Sequence, residues 1–587
     1  MSGAIRIHST SRGLDAARLL AGRDLVLELD EAHGVAAPEG VLAGDALDVE
    51  ARRALDRSAL AGLARWRELY DELLTVDGIC LPFIAEWPLM RTMLAWLRLG
   101  EGLHAAVGRH GATALELMDD DDRTRQIASV VAARHDIPVR TGAGPRAAVR
   151  PVRELPRISP LRRARRLAVR GALGCGAPTL LRPGSVLVLS YWPMMPLLDR
   201  LLDEPTSRPA IALEARPTGP SRTMRAALQG GWLGLPSPWA VGAAKREVEA
   251  AITRVGAATP RLEVGSFDLG ACVHGPLLMA LRDGACDALA RAGLVRRALE
   301  RSPPQVVVAY CDSLPIPRLV VSLARDAGVR TLVVAHGAFL APQTVADLSI
   351  GEEVAVWSQA VAPPGVGRRA RVHVIGYPAR DVPNAPIAVR RRDAARRIVV
   401  LGQERHPYTA MIDERSVQRH YLAALGAVRS ACPGATVVLR PHPTQQLAPI
   451  RRLLDEIGDL DTRIDATSSI EDLLASAALC VASLSTAALQ AALVDTPVIA
   501  LNLTGFEWPW PLGGDTPVPV AHSTDELVVA LRDWRRRRRA PGREALLAAL
   551  GADRPNALDR LVDVVTGRPP DRDRAQASSS PPAAASA

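Results

Sequence analysis

The chain has 587 residues, 48% of them apolar and 23% charged, with a net charge of +9. That length exceeds what one hydrophobic core supports, so two or three domains are expected, and the balance excludes a disordered or fibrous chain. Seven scattered cysteines without a Cys-x-x-Cys pair exclude a zinc ribbon or disulfide scaffold, and no apolar run reaches the ~20 residues of a membrane span.

The first twenty residues lack an apolar core ahead of a cleavage site, so no signal peptide is expected and the predicted location is cytoplasmic. The positive charge admits nucleotides, phospholipid surfaces and nucleic acid as partners. Residues 1–30 read as a strand, a helix and a second strand, Asp24 to Leu29. Apolar spacing predicts helices over Arg52 to Leu74 and near Leu89–Leu99. Ala112 to Leu117 reads as a strand, Arg123 to His135 as a helix and Ile137–Val139 as a strand. This alternation makes residues 1–140 an α/β extension. The acidic run Asp119–Asp122 reads as a solvated loop favouring the next helix N-terminus, with a metal site as the alternative.

Residues 141–182 form a basic Gly/Pro/Arg-rich linker. Its helix, Leu161 to Arg170, reads as solvated; the functional alternative is contact with an anionic membrane surface. A second alternating series spans 183–385, with strands at Val186–Ser190, Gln305–Tyr310, Thr331–Ala335, Glu353–Trp357 and Val372–Gly376. A third spans 393–566, with strands at Arg397–Gly402, Val437–Leu439, Leu479–Ala482 and Pro497–Asn502, and helices at Glu414–Ala431 and Thr524–Arg537. The Pro/Ala/Ser-rich stretch 567–587 is expected to be a disordered tail. The run Arg535–Arg539 has no nucleic-acid fold or aromatic platform beside it, so no nucleic-acid partner is expected.

Open parallel sheets bind ligands beyond the carboxyl ends of their strands. Three polar groups fall there: His336-Gly337, the turn Arg440-Pro441-His442-Pro443-Thr444, and the hydroxyl cluster Ser483, Ser485 and Thr486. Backbone N–H groups, hydroxyls and a helix dipole together make a phosphate site without a Walker loop. The competing reading makes the hydroxyls ordinary helix caps. Gly402, Gln403 and Glu404 follow the first strand of the third series and join the candidate nucleotide site, with Arg405 and His406 beyond them.

The Arg-x-His-Pro turn followed by a Ser/Thr cluster and a small-residue helix resembles the C-terminal half of GT-B-fold transferases. It is most similar to bacterial capsule and teichoic-acid enzymes: polysialyltransferases, capsule Kdo transferases and CDP-glycerol glycerophosphotransferases. The resemblance covers roughly residues 300–505. It implies two Rossmann-like parallel-sheet domains facing a cleft. It also implies transfer of a sugar or polyol phosphate from a nucleotide-activated donor to a glycan or lipid-linked acceptor. Arg440, His442, Pro443, Ser483, Ser485 and Thr486 would then hold the donor phosphate. Gln490 stands where many such enzymes place a Glu that grips the ribose or sugar. No cofactor and no bound metal are expected, because the helix dipole and basic groups take the leaving charge. Transfer needs a base for the acceptor hydroxyl: His336 is the first candidate, and Asp312 the second, with a helix cap as the other reading of Asp312. The rival functions are a GT-B-fold nucleotide-sugar epimerase, which needs no acceptor, and a non-catalytic glycan-assembly protein.

Overall fold

The computed structural model describes residues 3–10, 23–28, 40–118, 122–141, 179–189, 194–204, 206–212, 220–256, 261–265, 267–335, 350–362, 369–378, 396–402, 414–443, 445, 447–459, 461–508, 510–552, 554 and 556–568. The helix expected at Leu161 to Arg170, Asp119 to Asp121 and the tail from 569 lie outside the described residues. The fold is α/β, built on parallel Rossmann-like sheets. The chain divides into two compact units. One gathers Met1–Glu154, Ala251–Arg282 and Ala388–Arg543; the other gathers Leu155–Ala250, Asp283–Ile387 and Glu544–Ala587.

The first unit holds two parallel sheets. The smaller has four strands in the spatial order Asp24–Glu28, Ala4–Thr10, Ala114–Leu117, Val139–Thr141. The helices Val49–Tyr70 and Glu86–His110 follow its second strand, and Trp66 on the first of them is fully buried. Asp48 starts that helix by accepting a hydrogen bond from the Ala51 amide at 2.8 Å, an ordinary carboxylate cap.

The larger sheet of this unit has six strands: Arg463–Ile464, Thr436–Arg440, Arg397–Leu401, Leu479–Ala482, Val498–Leu501 and Val520–Ala521 in spatial order. In chain order that is third, second, first, fourth, fifth, sixth. All pairs are parallel. The central strands are buried on both faces, so their middles read as continuous apolar runs. Alternate residues Ile398, Val400, Val437 and Leu439 face the helices Glu414–Ala431 and Thr524–Arg537, meeting Ala424, Val428, Leu527, Leu531 and Trp534 in one core. Ser523 caps the latter helix by accepting from the Glu526 amide at 3.1 Å.

The second unit is organised on an eight-stranded sheet. Its parallel strands, Val186–Leu189, Pro209–Ala212, Gly231–Leu233, Val306–Ala309, Arg330–Val334, Glu353–Val356 and Arg371–Val374, again run third, second, first, fourth onward, and Leu180–Leu181 closes one edge antiparallel. Sequence reading places no strand at 209–212 or 231–233, because a Pro-led tetrapeptide and a Gly-led tripeptide carry little pattern of their own. Gly231 has φ +98°, and a Cβ there would overlap the Leu180 carbonyl oxygen, so the edge pairing requires glycine.

Sequence reading also assigns no element to 557–566. The structure has a helix there, Ala557–Thr566, and Leu561, Val562 and Val565 fill the core of the eight-stranded sheet beside Leu197, Leu198 and Leu201. Residues 544–566, grouped by sequence with the third series, therefore pack in the second unit.

An ion triad fixes the end of that helix. Arg330 donates to the carbonyls of Val564 (2.6 Å) and Val565 (3.1 Å) and forks onto Glu353, with Nη2 2.9 Å from Oε2. His373 Nε2 lies 2.5 Å from the same Glu353 oxygen. Burial pushes the Glu353 carboxyl up, but hydrogen bonds from Arg330 and His373 outweigh it and hold the group below its ordinary value. A depressed carboxylate stabilises the fold above its unfolded pKa, about 4.3. That contribution is lost as the pH falls through the folded value. Urea melts between about pH 3 and 7 should therefore show an acid-side loss that Glu353→Gln flattens. Arg330→Ala at neutral pH should cost about 1.5–3 kcal/mol, the usual worth of hydrogen bonds to a charged group. Unchanged denaturation midpoints in both variants would show that the triad is ornamental.

Candidate functional site at the strand reversal of the six-stranded sheet

In a sheet of this order, successive helices cover one face while the chain winds one way and the other face after it reverses. The reversal falls between Arg397–Leu401 and Leu479–Ala482. In open sheets the place for a ligand is outside the carboxyl ends of two such strands. Gly402 ends the first and Ser483 the second. The Pro441-His442 turn ends the strand on the far side of Gly402. The two sequence signatures are thus not on adjacent strands: Arg397–Leu401 lies between them, at about 4.8 Å per step.

Gly402 continues the ladder, its N–H donating to the Arg440 carbonyl at 2.7 Å. A Cβ on Gly402 would overlap Tyr421 Oη and lie 2.6 Å from Gln445 Oε1 and 3.0 Å from Pro441 Cα. A methyl group there fits only if Tyr421 and Gln445 give way. His420, fully buried, donates from Nε2 to the Leu401 carbonyl at 2.9 Å, and its Nδ1 has no partner. Burial pushes its pKa down to about 4, so it stays neutral with the proton on Nε2.

Ser483 is 1% exposed, and its Oγ has no hydrogen-bond partner among the described residues. A buried hydroxyl without a partner is costly and uncommon in a native fold. Ser485 is the cap of the helix Thr486–Ala491, accepting from the Ala487 amide at 3.2 Å. That helix has six residues before a 3-10 turn, Ala492–Val494, so it carries only part of the dipole that a long helix would offer. Thr486 and Gln490 lie on it, half-buried.

Arg440 is already engaged. Its Nη1 donates to the Asp465 carbonyl at 3.1 Å and lies 3.8 Å from the Asp465 carboxylate. Asp465 also accepts from the amide and hydroxyl of Ser468 and the amide of Thr467. The Ser468 bonds lead in holding its pKa down to about 2, with the Arg440 charge a smaller cause. Arg440 thus fastens the strand end to the turn after Ile464. His442 is half-buried and Pro443 exposed. Asp459-Leu460-Asp461 is an Asp-x-Asp by letter, but Asp459 accepts from Arg429 (2.8 Å) and from the amide (3.0 Å) and hydroxyl (2.8 Å) of Thr462, a structural turn.

Gln403, Glu404, Arg405, His406 and Thr444 lie outside the described residues, as do His336 and Gly337. Asp312, in the second unit, is buried and follows the strand Val306–Ala309. Its Oδ2 accepts from the amides of Ile350 (2.6 Å) and Gly351 (2.8 Å), tying the backbone ahead of Glu353 to the sheet. It does not cap the Pro315–Asp326 helix, whose N-cap is Leu314 without a side-chain bond.

Tyr421 and Gln445 are absent from the sequence-based site. Tyr421 sits on the apolar face of its helix and reads as core; Gln445 lies two residues past the His-Pro pair, where the spacing alone could have drawn attention.

No protein-family profile and no curated protein sequence matches this chain. Among solved structures it is similar to Staphylococcus aureus MnaA with UDP, at 11% identity over 65% of this chain and 95% of that one, TM-score 0.38. It is also similar to Acinetobacter baumannii MurG, at 13% identity over 66% and 100%, TM-score 0.36. A third is the UDP-GlcNAc 2-epimerase of Neisseria meningitidis bound to UDP-GlcNAc, at 10% identity over 65% and 100%, TM-score 0.38. Similarity at this level says nothing of activity, and the description of the fold as α/β with parallel Rossmann-like sheets rests on the strand order itself.

Proposed function

We propose that the chain is a glycosyltransferase of the GT-B type that moves a sugar, or a polyol phosphate, from a nucleotide-activated donor to a glycan or lipid-linked acceptor in cell-surface polysaccharide assembly. The observation that carries this reading is the buried Ser483 hydroxyl at the strand reversal, without a hydrogen-bond partner among the described residues, beside a strand end where Gly402 is closely packed. Such a hydroxyl suits an anionic oxygen held close to the backbone. The donor's phosphate sits between Ser483, the backbone at Gly402 and the turn bearing His442. Ser485 and Thr486 shape the near side, and Gln490 supports the ribose or sugar with a neutral amide. His336 takes the proton of the acceptor hydroxyl. The acceptor oxygen bonds to the transferred centre, the bond from that centre to the leaving phosphate oxygen breaks, and the nucleotide leaves with the electron pair. The His-Pro turn and the Ser483 hydroxyl stabilise its charge.

Ser483→Ala tests the site directly. Its hydroxyl has no partner to lose in the unliganded fold, so the melting temperature should hold or rise slightly. Affinity for the best-bound of UDP, CDP, GDP and CMP should fall by ~10–100-fold, the worth of one hydrogen bond to a charged oxygen. A lower melting temperature with unchanged affinity would make Ser483 a packing residue.

Binding of that nucleotide should persist in EDTA, since neutral donors and the histidine meet the phosphate charge. Abolition of both binding and turnover by EDTA would overturn the metal-independent mechanism.

The two histidines should fail differently. His442→Ala should raise the donor's dissociation constant and slow turnover. His336→Ala should leave donor affinity intact and cut single-turnover rate by ~10²–10⁴, the usual contribution of a positioned base. Near wild-type turnover in His336→Ala moves the base to Asp312, and isomerised donor formed without acceptor would make the chain an epimerase.

A further inference from the structure

We infer that Gln445 and Tyr421 are positioning residues that hold the His442 turn in its binding geometry, acting through one shared acceptor oxygen. This rests on the donor-site reading above. Gln445 Oε1 accepts from Tyr421 Oη at 2.7 Å and from the His442 backbone N–H at 2.8 Å. The Gln445 N–H donates back to the His442 carbonyl at 2.9 Å, so the turn is clasped at both its amide and its carbonyl. An amide oxygen has two lone pairs, and here each has a donor.

Tyr421 is 2% exposed, and burial pushes its phenol pKa up, so it remains an O–H donor at any physiological pH. The preceding residue, His420, pins the same helix to Leu401, the last residue of the strand before Gly402. Two consecutive side chains thus register the Glu414–Ala431 helix against two strand ends at once. Gly402 completes the device, since a Cβ there would collide with Tyr421 Oη and press on Gln445 Oε1. Glutamine suits this place better than glutamate: it accepts both bonds without setting a negative charge beside the phosphate.

A double-mutant cycle on the full chain tests the inference, read by calorimetry with the best-bound of UDP, CDP, GDP and CMP. Gln445→Leu should weaken binding ~10-fold in the wild-type background and by less than ~2-fold in a His442→Ala background, because its effect travels through His442. Tyr421→Phe should show the same pattern at smaller size. Gly402→Ala should weaken binding, and adding Tyr421→Phe should restore part of it by making room for the methyl group. Equal losses in both backgrounds, or none in the wild-type background, would overturn the positioning role while leaving the donor site standing. Normal affinity in His442→Ala overturns it too, since nothing would then be positioned. A wild-type chain that binds none of the four nucleotides overturns the donor-site reading itself, and this inference with it. If Gln445→Leu does not fold, Tyr421→Phe carries the cycle alone.

Discussion

The handedness of strand–helix–strand crossovers governs both large sheets. A parallel crossover is right-handed almost without exception, so helices land on one face while strands are added in one direction and on the other after the chain reverses. Both sheets reverse between their first and fourth strands. In the six-stranded sheet this leaves the end of Arg397–Leu401 with connections leading away on both sides. The crevice there follows from connectivity, and the side chains only furnish it. That is why residues from three separate stretches, Gly402, the His442 turn and Ser483, share one sheet edge.

Those furnishings include groups already satisfied and, among the described residues, a hydroxyl that is not. Arg440 is tied to Asp465 and Ser485 to the helix it caps. Each neutralises a local demand of the fold, and each looked like ligand chemistry when read as letters. Ser483 is the contrast: it pays for burial without a return within the fold. Satisfied polar groups set the shape of an edge, and a buried hydroxyl without a partner is where a hydrogen-bonding oxygen would lower the free energy.

Legibility in the sequence followed pattern strength. The runs Val306–Ala309, Arg397–Leu401 and Leu479–Ala482 are buried on both faces and read directly as strands. Thr524–Arg537 was legible to its ends because its Ser523 cap and apolar spacing agree, and Glu414–Ala431 through apolar spacing. Pro209–Ala212, Gly231–Leu233 and Arg463–Ile464 were not, since pairing with neighbours far along the chain, not local propensity, makes them strands. Within the candidate site, His442 and Ser483 were visible as polar residues after apolar runs. The strand between them was invisible, because chain order does not disclose sheet order. Tyr421 was hidden for a different reason: its ring belongs to the core and only its hydroxyl belongs to the site.

The electrostatics of the edge follow from the same division. The net charge of +9 is spread over an arginine-rich chain, yet Arg440, at the end of the strand next to Arg397–Leu401, gives its hydrogen bond to the Asp465 turn. An anion held there as proposed would meet a hydroxyl and a histidine, since the Gly402 and His442 amides are already paired within the fold. Such neutral donors contribute little long-range attraction and lose most of their worth when misplaced by an ångström. Precision of the backbone then matters more than charge. A glycine packed under Tyr421 and Gln445, a histidine pinned to Leu401 and a glutamine oxygen shared between Tyr421 and His442 supply that precision from the core side. A site of this kind binds through geometry fixed in advance, so its affinity should be governed by residues that never touch the ligand as much as by those that do.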